Sequence, residues 1–431
     1  MGENESRLET GTGKKESHHH HHHSHHSKRR KNSKVSRFIK KHKSALINIT
    51  VIVVALTAVI IMGILGDRNR DDVTPIPPKS PEVIADAPNG TSIKVEVPFY
   101  TKEVFVAPNS VQNYMRSDVP ASAPDYFDSF RPNGERLDIG LPVTLEFDVT
   151  GLPVEYTVVS STVEVSEDAT LQNPRVFTLK GNERSVSVYH LKASTQYHYR
   201  INITLSNNSV TSVQGSFQTA QAPRVLSIEG AVNVRDIGGW KTVDGKTIRQ
   251  GLLYRGSEID GAVEKAFCVT EKGRNDMLTV LGICTDMDLR SSGDNTLGTH
   301  ALGANVKHIY YDAPMYGGAF SAPEKVREIF KDLAKADSYP IYLHCTYGMD
   351  RTGTFCYLLE ALLGVSEEDL MRDYQLTALY YSSLNSDPMN AFVAQVQQLE
   401  GDTVQEKVTN YLLSVGVTEE EISSIKNIFI E

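Results

Sequence analysis

Nine residues, Cys345-Thr346-Tyr347-Gly348-Met349-Asp350-Arg351-Thr352-Gly353, constrain this chain more than any other stretch. An apolar run, Ile341-Tyr342-Leu343-His344, leads into them, and Phe355-Cys356-Tyr357-Leu358-Leu359-Glu360-Ala361-Leu362-Leu363 follows. The pattern predicts a strand, a tight loop and a buried helix. A helix that starts from such a loop aims free N–H groups and the positive end of its dipole at one spot. That spot suits a tetrahedral oxyanion. Cys345 at its base would supply the nucleophile, since thiolate is the attacking form of cysteine. Arg351 offers a planar fork that can hold two oxygens at once, and Gly348 permits the close turn. Together these features suit phosphoryl transfer to sulfur.

In the form His-Cys-x-x-Gly-x-Asp-Arg-Thr-Gly, the segment resembles the cysteine-dependent phosphatases of the protein tyrosine phosphatase superfamily. It looks most like the bacterial tyrosine/lipid phosphatase branch, which carries aspartate just before the arginine. Three upstream segments agree in order with that branch: Asn233-Val234-Arg235-Asp236-Ile237-Gly238-Gly239, Gly251-Leu252-Leu253-Tyr254-Arg255-Gly256 and Asp288-Leu289-Arg290-Ser291. The resemblance covers roughly residues 225 to 431. It implies a phosphocysteine at Cys345, which splits one hard step into two. It also implies that His344 orients the cysteine, that Thr352 hydrogen-bonds the sulfur, and that Arg351 with the N–H groups of Thr346, Tyr347, Gly348 and Met349 binds the phosphoryl oxygens. The general acid is Asp350, inside the loop, or Asp312 in Tyr311-Asp312-Ala313-Pro314, where other members carry it on a separate loop. Asp236, Arg255, Asp288 and Arg290 match family segments and are expected to brace the loop through ion pairs, with Arg255 also a candidate for touching substrate. Met349 departs from the branch, which commonly has lysine there. The missing cation argues against polyphosphorylated inositides and for phosphotyrosine or a small monoester.

Charge is distributed unevenly. Residues 1–43 hold twelve Lys/Arg and four Asp/Glu, a surplus of eight positive charges, and residues 44–66 hold none. With a net charge of −9 overall, residues 67–431 carry −17. Ser44 to Gly66 is 23 uncharged, mostly aliphatic residues, long enough to span the hydrocarbon as a helix. Nine Lys/Arg between Lys28 and Lys43 against two between Asp67 and Asp72 place the N-terminus in the cytoplasm and the acidic bulk outside. The expectation is therefore a single-pass cell-membrane protein with an extracytoplasmic catalytic domain. Signal-peptide cores are shorter and start nearer the terminus. The run His18–His23 with His25 and His26 reads as a solvated or artificial tract without a folded role.

Beyond a proline-rich stalk (67–92), strand signals dominate residues 93–220. Val143, Leu145, Phe147 and Val149 alternate, as do Tyr197, Tyr199, Ile201, Ile203 and Leu205. Short strands with turn signals predict an all-β sandwich, immunoglobulin-like in class. Residues 191–200 resemble the late strands of a fibronectin type III domain. From 225 to 431 helical patterns alternate with short apolar strands, which predicts an α/β domain. Helices are expected at 323–336, 367–379, 389–400, 404–415 and 419–429. The four cysteines, Cys268, Cys284, Cys345 and Cys356, are too few for a disulfide-built exported protein and have no metal-site spacing. No metal, cofactor or nucleic-acid partner is expected. The substrate is a phosphorylated protein or small phosphomonoester, and the sandwich is left with an unassigned surface partner. Two alternatives stand beside this reading: an inositol phosphate or phosphoinositide phosphatase, and a catalytically inactive surface-binding protein.

Overall fold

Strand alternation organises the first half of the described chain. The computed structural model describes residues 83–86, 92–97, 100, 102–117, 139–221, 223–292, 294, 300–381 and 384–431. The predicted basic tail, histidine run, membrane span and most of the stalk lie outside the described residues. Among the described residues no helix is long and apolar enough to cross a membrane. Residues Asp71–Glu431 form one compact unit.

The elements of the first half are β1 (Val83–Asp86), β2 (Ser92–Glu96), α1 (Asn109–Met115), β3 (Val143–Glu146), β4 (Asp148–Thr150), β5 (Val158–Ser166), β6 (Arg175–Lys180), β7 (Ser185–Val188), β8 (Gln196–Leu205) and β9 (Val210–Gln218). The order β6-β5-β8-β9 makes one antiparallel sheet, β3 pairs with β7, and β1-β2-β4 forms a third. Tyr197, Tyr199, Ile201, Ile203 and Leu205 all point to the buried face of β8. They share a core with Val143, Leu145, Phe147, Val163 and Val188, so the alternating stripe is packing surface.

Helix α1 is the exception to this texture, and the strand-rich reading did not anticipate it. Val111, Tyr114 and Met115 recur at helical spacing after Pro108. Ala107, Val111 and Tyr114 join the core of the second half of the chain.

That second half comprises β10 (Arg224–Val225), β11 (Arg235–Asp236), β12 (Leu253–Gly256), α2 (Glu271–Asn275), β13 (Thr285–Asp288), β14 (Lys307–Tyr310), α3 (Pro323–Leu333), β15 (Ile341–His344), α4 (Asp350–Leu363), α5 (Glu367–Gln375), α6 (Asp387–Val396), α7 (Val404–Ser414) and α8 (Glu419–Phe429). One sheet runs β10-β11-β12-β15-β13-β14. Its last four strands are parallel, and β12, β13 and β15 are buried at every residue, as parallel strands covered on both faces should be. Helix α4 is apolar nearly all round and is buried accordingly, until Gly364 (φ 92°) ends it in a left-handed cap. In the parallel register Gly256 and Asp288 both lie opposite His344. Cys345 therefore leaves the sheet at its carboxyl edge, where open α/β sheets place ligands.

Polar contacts join the halves besides α1, among them His190 Nε2 at 3.6 Å from Asp276 Oδ2. Buried Arg224 donates to Asp236 Oδ2 (2.8 Å) and to the carbonyls of Leu191 (3.0 Å) and His190 (2.6 Å). Gln250 exchanges two 2.8 Å hydrogen bonds with the backbone of Ala193. Asp236 was expected to brace the cysteine loop. It braces this junction instead, because it faces Arg224 and the N–H groups of Gly238 and Gly251. Arg224→Met should therefore cost about 3–5 kcal/mol in urea unfolding, the penalty for a buried carboxylate stripped of its cation. The double change Arg224→Met/Asp236→Leu should recover much of that loss.

Candidate active site

The loop after β15 is gripped by its carbonyls. Thr346 O accepts from Glu258 N (3.0 Å), Tyr347 O from Asn233 Nδ2 (3.2 Å), and Gly348 O from both Asn233 Nδ2 (3.1 Å) and Arg255 Nη2 (3.1 Å). With its oxygens held from behind, the loop turns its N–H groups inward. Among the described residues, the N–H groups of Thr346 to Thr352 donate to no protein acceptor. Helix α4 leaves its first turn open as well, since its N-cap is Met349, which cannot accept. Helices α5, α7 and α8 cap theirs with Ser366, Thr403 and Thr418. Gly348 is required twice over. Its φ is 66°, and a Cβ there would stand 2.5 Å from the Gly256 carbonyl.

The gripping residues are themselves fixed by Asp373 of α5. Its carboxylate accepts from Arg235 Nε (2.9 Å) and from Arg255 Nη1 (2.6 Å), and Arg235 Nη1 holds Asn233 Oδ1 (2.7 Å). All four side chains are buried. Burial opposes ionisation of Asp373, but the two guanidinium groups hold it below the usual carboxylate range. Nearby Glu360 is pushed well above that range by burial and by the charge on Asp373. Two arginines thus face one ionised carboxylate, and a buried positive charge is left over beneath the loop.

His344 is buried between the loop's first residue and the acidic side of the sheet. Its Nδ1 lies 3.3 Å from Cys345 O, its ring stacks on Tyr342, and Nε2 sits 3.0 Å from Asp286 Oδ1 without hydrogen-bond alignment. Burial alone would lower its pKa. Asp286 and Asp288 outweigh burial and raise it to about 9, so His344 is an imidazolium at neutral pH. Next to it, Arg290 binds Asp288, Glu258 and Asp260 at 2.7 Å each. Glu258 is the residue whose N–H holds Thr346 O.

Cys345 is buried and forms no disulfide. The Thr352 hydroxyl is buried with no hydrogen-bond partner among the described residues. Asp350 Oδ1 accepts from the Tyr316 hydroxyl, which lies 2.9 Å from the Tyr374 hydroxyl. Burial drives both tyrosines upward, Tyr374 to about 12, so both stay protonated and Tyr316 acts as donor. Gly353 leaves room for the Tyr374 ring, which a Cβ would meet at 3.0 Å. Asp312 is exposed just past β14 and makes no hydrogen bond or ion pair among the described residues. Arg351 Nη1 rests on Asp294 Oδ2 at 3.1 Å.

Asp294, Asp373, Tyr316 and Tyr374 were missed by sequence reasoning. Asp294 lies three residues beyond the matched Asp288–Ser291 segment, which was the available signal. An aromatic rim borders the loop. Tyr347, 37% exposed, meets Phe267 (5.8 Å) and Tyr381 (5.7 Å) edge-on, and Tyr380 contacts both of those rings.

The His344 pair predicts a pH-dependent stability. Its folded pKa of about 9 lies above the ordinary value of 6.5. The contribution is complete below about pH 6.5 and is lost as pH rises through about 9. Urea midpoints should fall across that window in the wild type. They should fall much less in His344→Gln.

Residues 226–431 match the model of the tyrosine phosphatase family. A protein of Cupriavidus necator named as a tyrosine-protein phosphatase is 27% identical in an alignment covering 36% of this chain and 66% of that one. A tyrosine-protein phosphatase of Nostoc commune is 23% identical, over 35% of this chain and 67% of its own length. The chain thus spans about two thirds of the length of these curated relatives. The core catalytic domain of the PP-IP phosphatase SIW14 from S. cerevisiae, solved with citrate, is 13% identical. It covers 38% of this chain and 93% of that one, at a TM-score of 0.27, too low for anything to rest on. Residues 226–431 are thus similar to the tyrosine phosphatase family, and they carry the cysteine, aspartate and arginine of a cysteine-dependent phosphatase.

Proposed function

We propose that this domain hydrolyses phosphomonoesters, phosphotyrosine foremost, through a phosphocysteine intermediate. The observation that carries the reading is the set of open N–H groups around buried Cys345, with every loop carbonyl from Thr346 to Gly348 engaged from behind. Cys345 Sγ attacks phosphorus as the bond to the leaving oxygen breaks. Arg351 swings from Asp294 to two equatorial oxygens and, with the loop N–H groups, opposes the charge that gathers there. Asp350 hands its proton to the leaving oxygen. Its Oδ1 is engaged by Tyr316 and Oδ2 meets no protein donor among the described residues. Water then attacks phosphorus, Asp350 takes up its proton, and the S–P bond breaks. Thr352 is free to donate to the departing sulfur.

The names of the two curated relatives support a tyrosine phosphatase, and the aromatic rim supports an aryl leaving group. An inositol phosphate substrate has less behind it, since Met349 offers no cation to a polyanion. Membrane tethering through residues 44–66, with the catalytic domain outside the cell, belongs to the same reading and rests on the charge asymmetry. So does the fibronectin type III likeness, which the sheet order β6-β5-β8-β9 against β3-β7 supports.

Cys345→Ser should abolish turnover yet still bind substrate. Asp350→Asn should slow alkyl phosphates far more than nitrophenyl phosphate, whose leaving group needs little protonation. If Asp312→Asn or Asp294→Asn shows that leaving-group dependence instead, the acid is misassigned. Tyr347→Ala should raise KM about tenfold for a phosphotyrosine peptide, with little effect on an alkyl phosphate.

Topology is checked separately. Protease added to intact cells should remove the acidic bulk of the chain and spare residues before Ser44. Protection of the catalytic domain would place it inside.

A further inference from the structure

We infer that the segment Ala107–Ser117 positions the catalytic loop: α1 grips one side of helix α5, and α5 holds the loop with its other side. The inference rests on Cys345 being the nucleophile.

Four consecutive residues of α5 divide the work. Arg372 and Gln375 face α1. Arg372 is 4% exposed and donates to the carbonyls of Tyr114 (3.1 Å) and Ser117 (3.0 Å). Its guanidinium thus sits at the carbonyl end of α1, where a cation is favoured by the dipole. It also lies 5.3 Å from the Tyr114 ring. Gln375 accepts from the Tyr114 hydroxyl. Between these two residues, Asp373 and Tyr374 face the loop. Asp373 holds Arg235 and Arg255, and through them Asn233 and the Tyr347 and Gly348 carbonyls. Tyr374 holds Tyr316, which holds Asp350. The loop's two supports therefore stem from one turn of α5, and the outer face of that turn is clamped by α1.

Leu370, Met371 and Tyr374 seat the inner side of α5 in the core. Val111, fully buried, and Tyr114 pin it from outside by packing into the same core as Phe355 and Tyr374. Loss of that clamp lets α5 roll, and a roll moves Asp373 and Tyr374 together. Their displacement would open the N–H cradle and swing Asp350 away from the leaving group. Such a change acts on the transition state more than on substrate binding, because the cradle tightens on equatorial oxygens only as charge develops there. Arg372 and Tyr114 are accordingly positioning residues.

The test uses the full chain and compares wild type with Arg372→Met, Arg372→Lys, Tyr114→Phe and Gln250→Ala. Gln250→Ala is the control: it breaks a different junction, with Ala193, and leaves α5 untouched. Readouts are kcat and KM on nitrophenyl phosphate, and protection of Cys345 from iodoacetate by vanadate, which takes the five-coordinate geometry of the transition state, with near-ultraviolet circular dichroism to establish folding. Arg372→Met should lower kcat at least about tenfold with KM within about twofold, as expected for a misplaced catalytic group. Protection by vanadate should weaken in parallel. Arg372→Lys should recover only part, since an ammonium cannot reach both carbonyls as the fork does. Gln250→Ala should match wild type. Should Arg372→Met not fold, Tyr114→Phe decides: a fall in kcat of about threefold or more at constant KM supports the clamp. Wild-type kcat and protection in folded Arg372→Met, or in Tyr114→Phe where that variant decides, would overturn it, as would an equal fall in Gln250→Ala. A wild type without Cys345-dependent turnover would instead overturn the phosphatase reading, and vanadate protection would then decide the clamp alone.

Discussion

A single buried carboxylate, that of Asp373, stands between two guanidinium groups, and the geometry of the whole site follows from it. Arg235 and Arg255 cannot be buried unpaired, so they must converge on it. Once they do, Asn233 and Arg255 can reach only the backs of Tyr347 and Gly348, and the loop must present its N–H groups to the other side. A well-packed apolar cluster of equal volume could be as stable. It could not fix two carbonyls at set angles. The ionic cluster thus specifies a shape.

The two sides of the central strand are charged oppositely. Toward β11 and β12 lie Arg235, Arg255 and Asp373, with positive charge in excess. Toward β13 lie Asp286, Asp288, Glu258 and Asp260 around Arg290 and His344, with negative charge in excess. The acidic side keeps His344 protonated and anchors Glu258, whose N–H holds the first loop carbonyl. The basic side holds the next two. Neither cluster reaches solvent, so salt should screen them little.

Legibility in the sequence tracked locality. The strand, loop and helix around Cys345 were readable because all their determinants lie within about twenty residues. The tail helices were readable from their apolar period and from the boxes Thr403/Glu406 and Thr418/Glu421. Helix α1 was not, being a single seven-residue helix in strand-rich surroundings whose clamp, Arg372, is 258 residues away. Asp373 was hidden too, because Glu367-Glu368-Asp369 makes its helix look like a solvated acidic face. Asp236 misled for the opposite reason. It sits in a motif segment yet serves Arg224, a partner the motif does not contain. β10 and β11, of two residues each, carry no periodicity at all.

Asp373 lies 138 residues from Arg235 and 118 from Arg255. On the ribosome both arginines, and then the cysteine loop, emerge well before the carboxylate that neutralises them. Until α5 is made, β11 and β12 carry cations they cannot bury, and the sheet cannot close over them. Chain synthesis therefore has a built-in order, in which the loop is the last part of the sheet edge to set. Such long-range closure is slow, and a nascent chain stalled before Asp373 would expose the unpaired edge that invites misassembly.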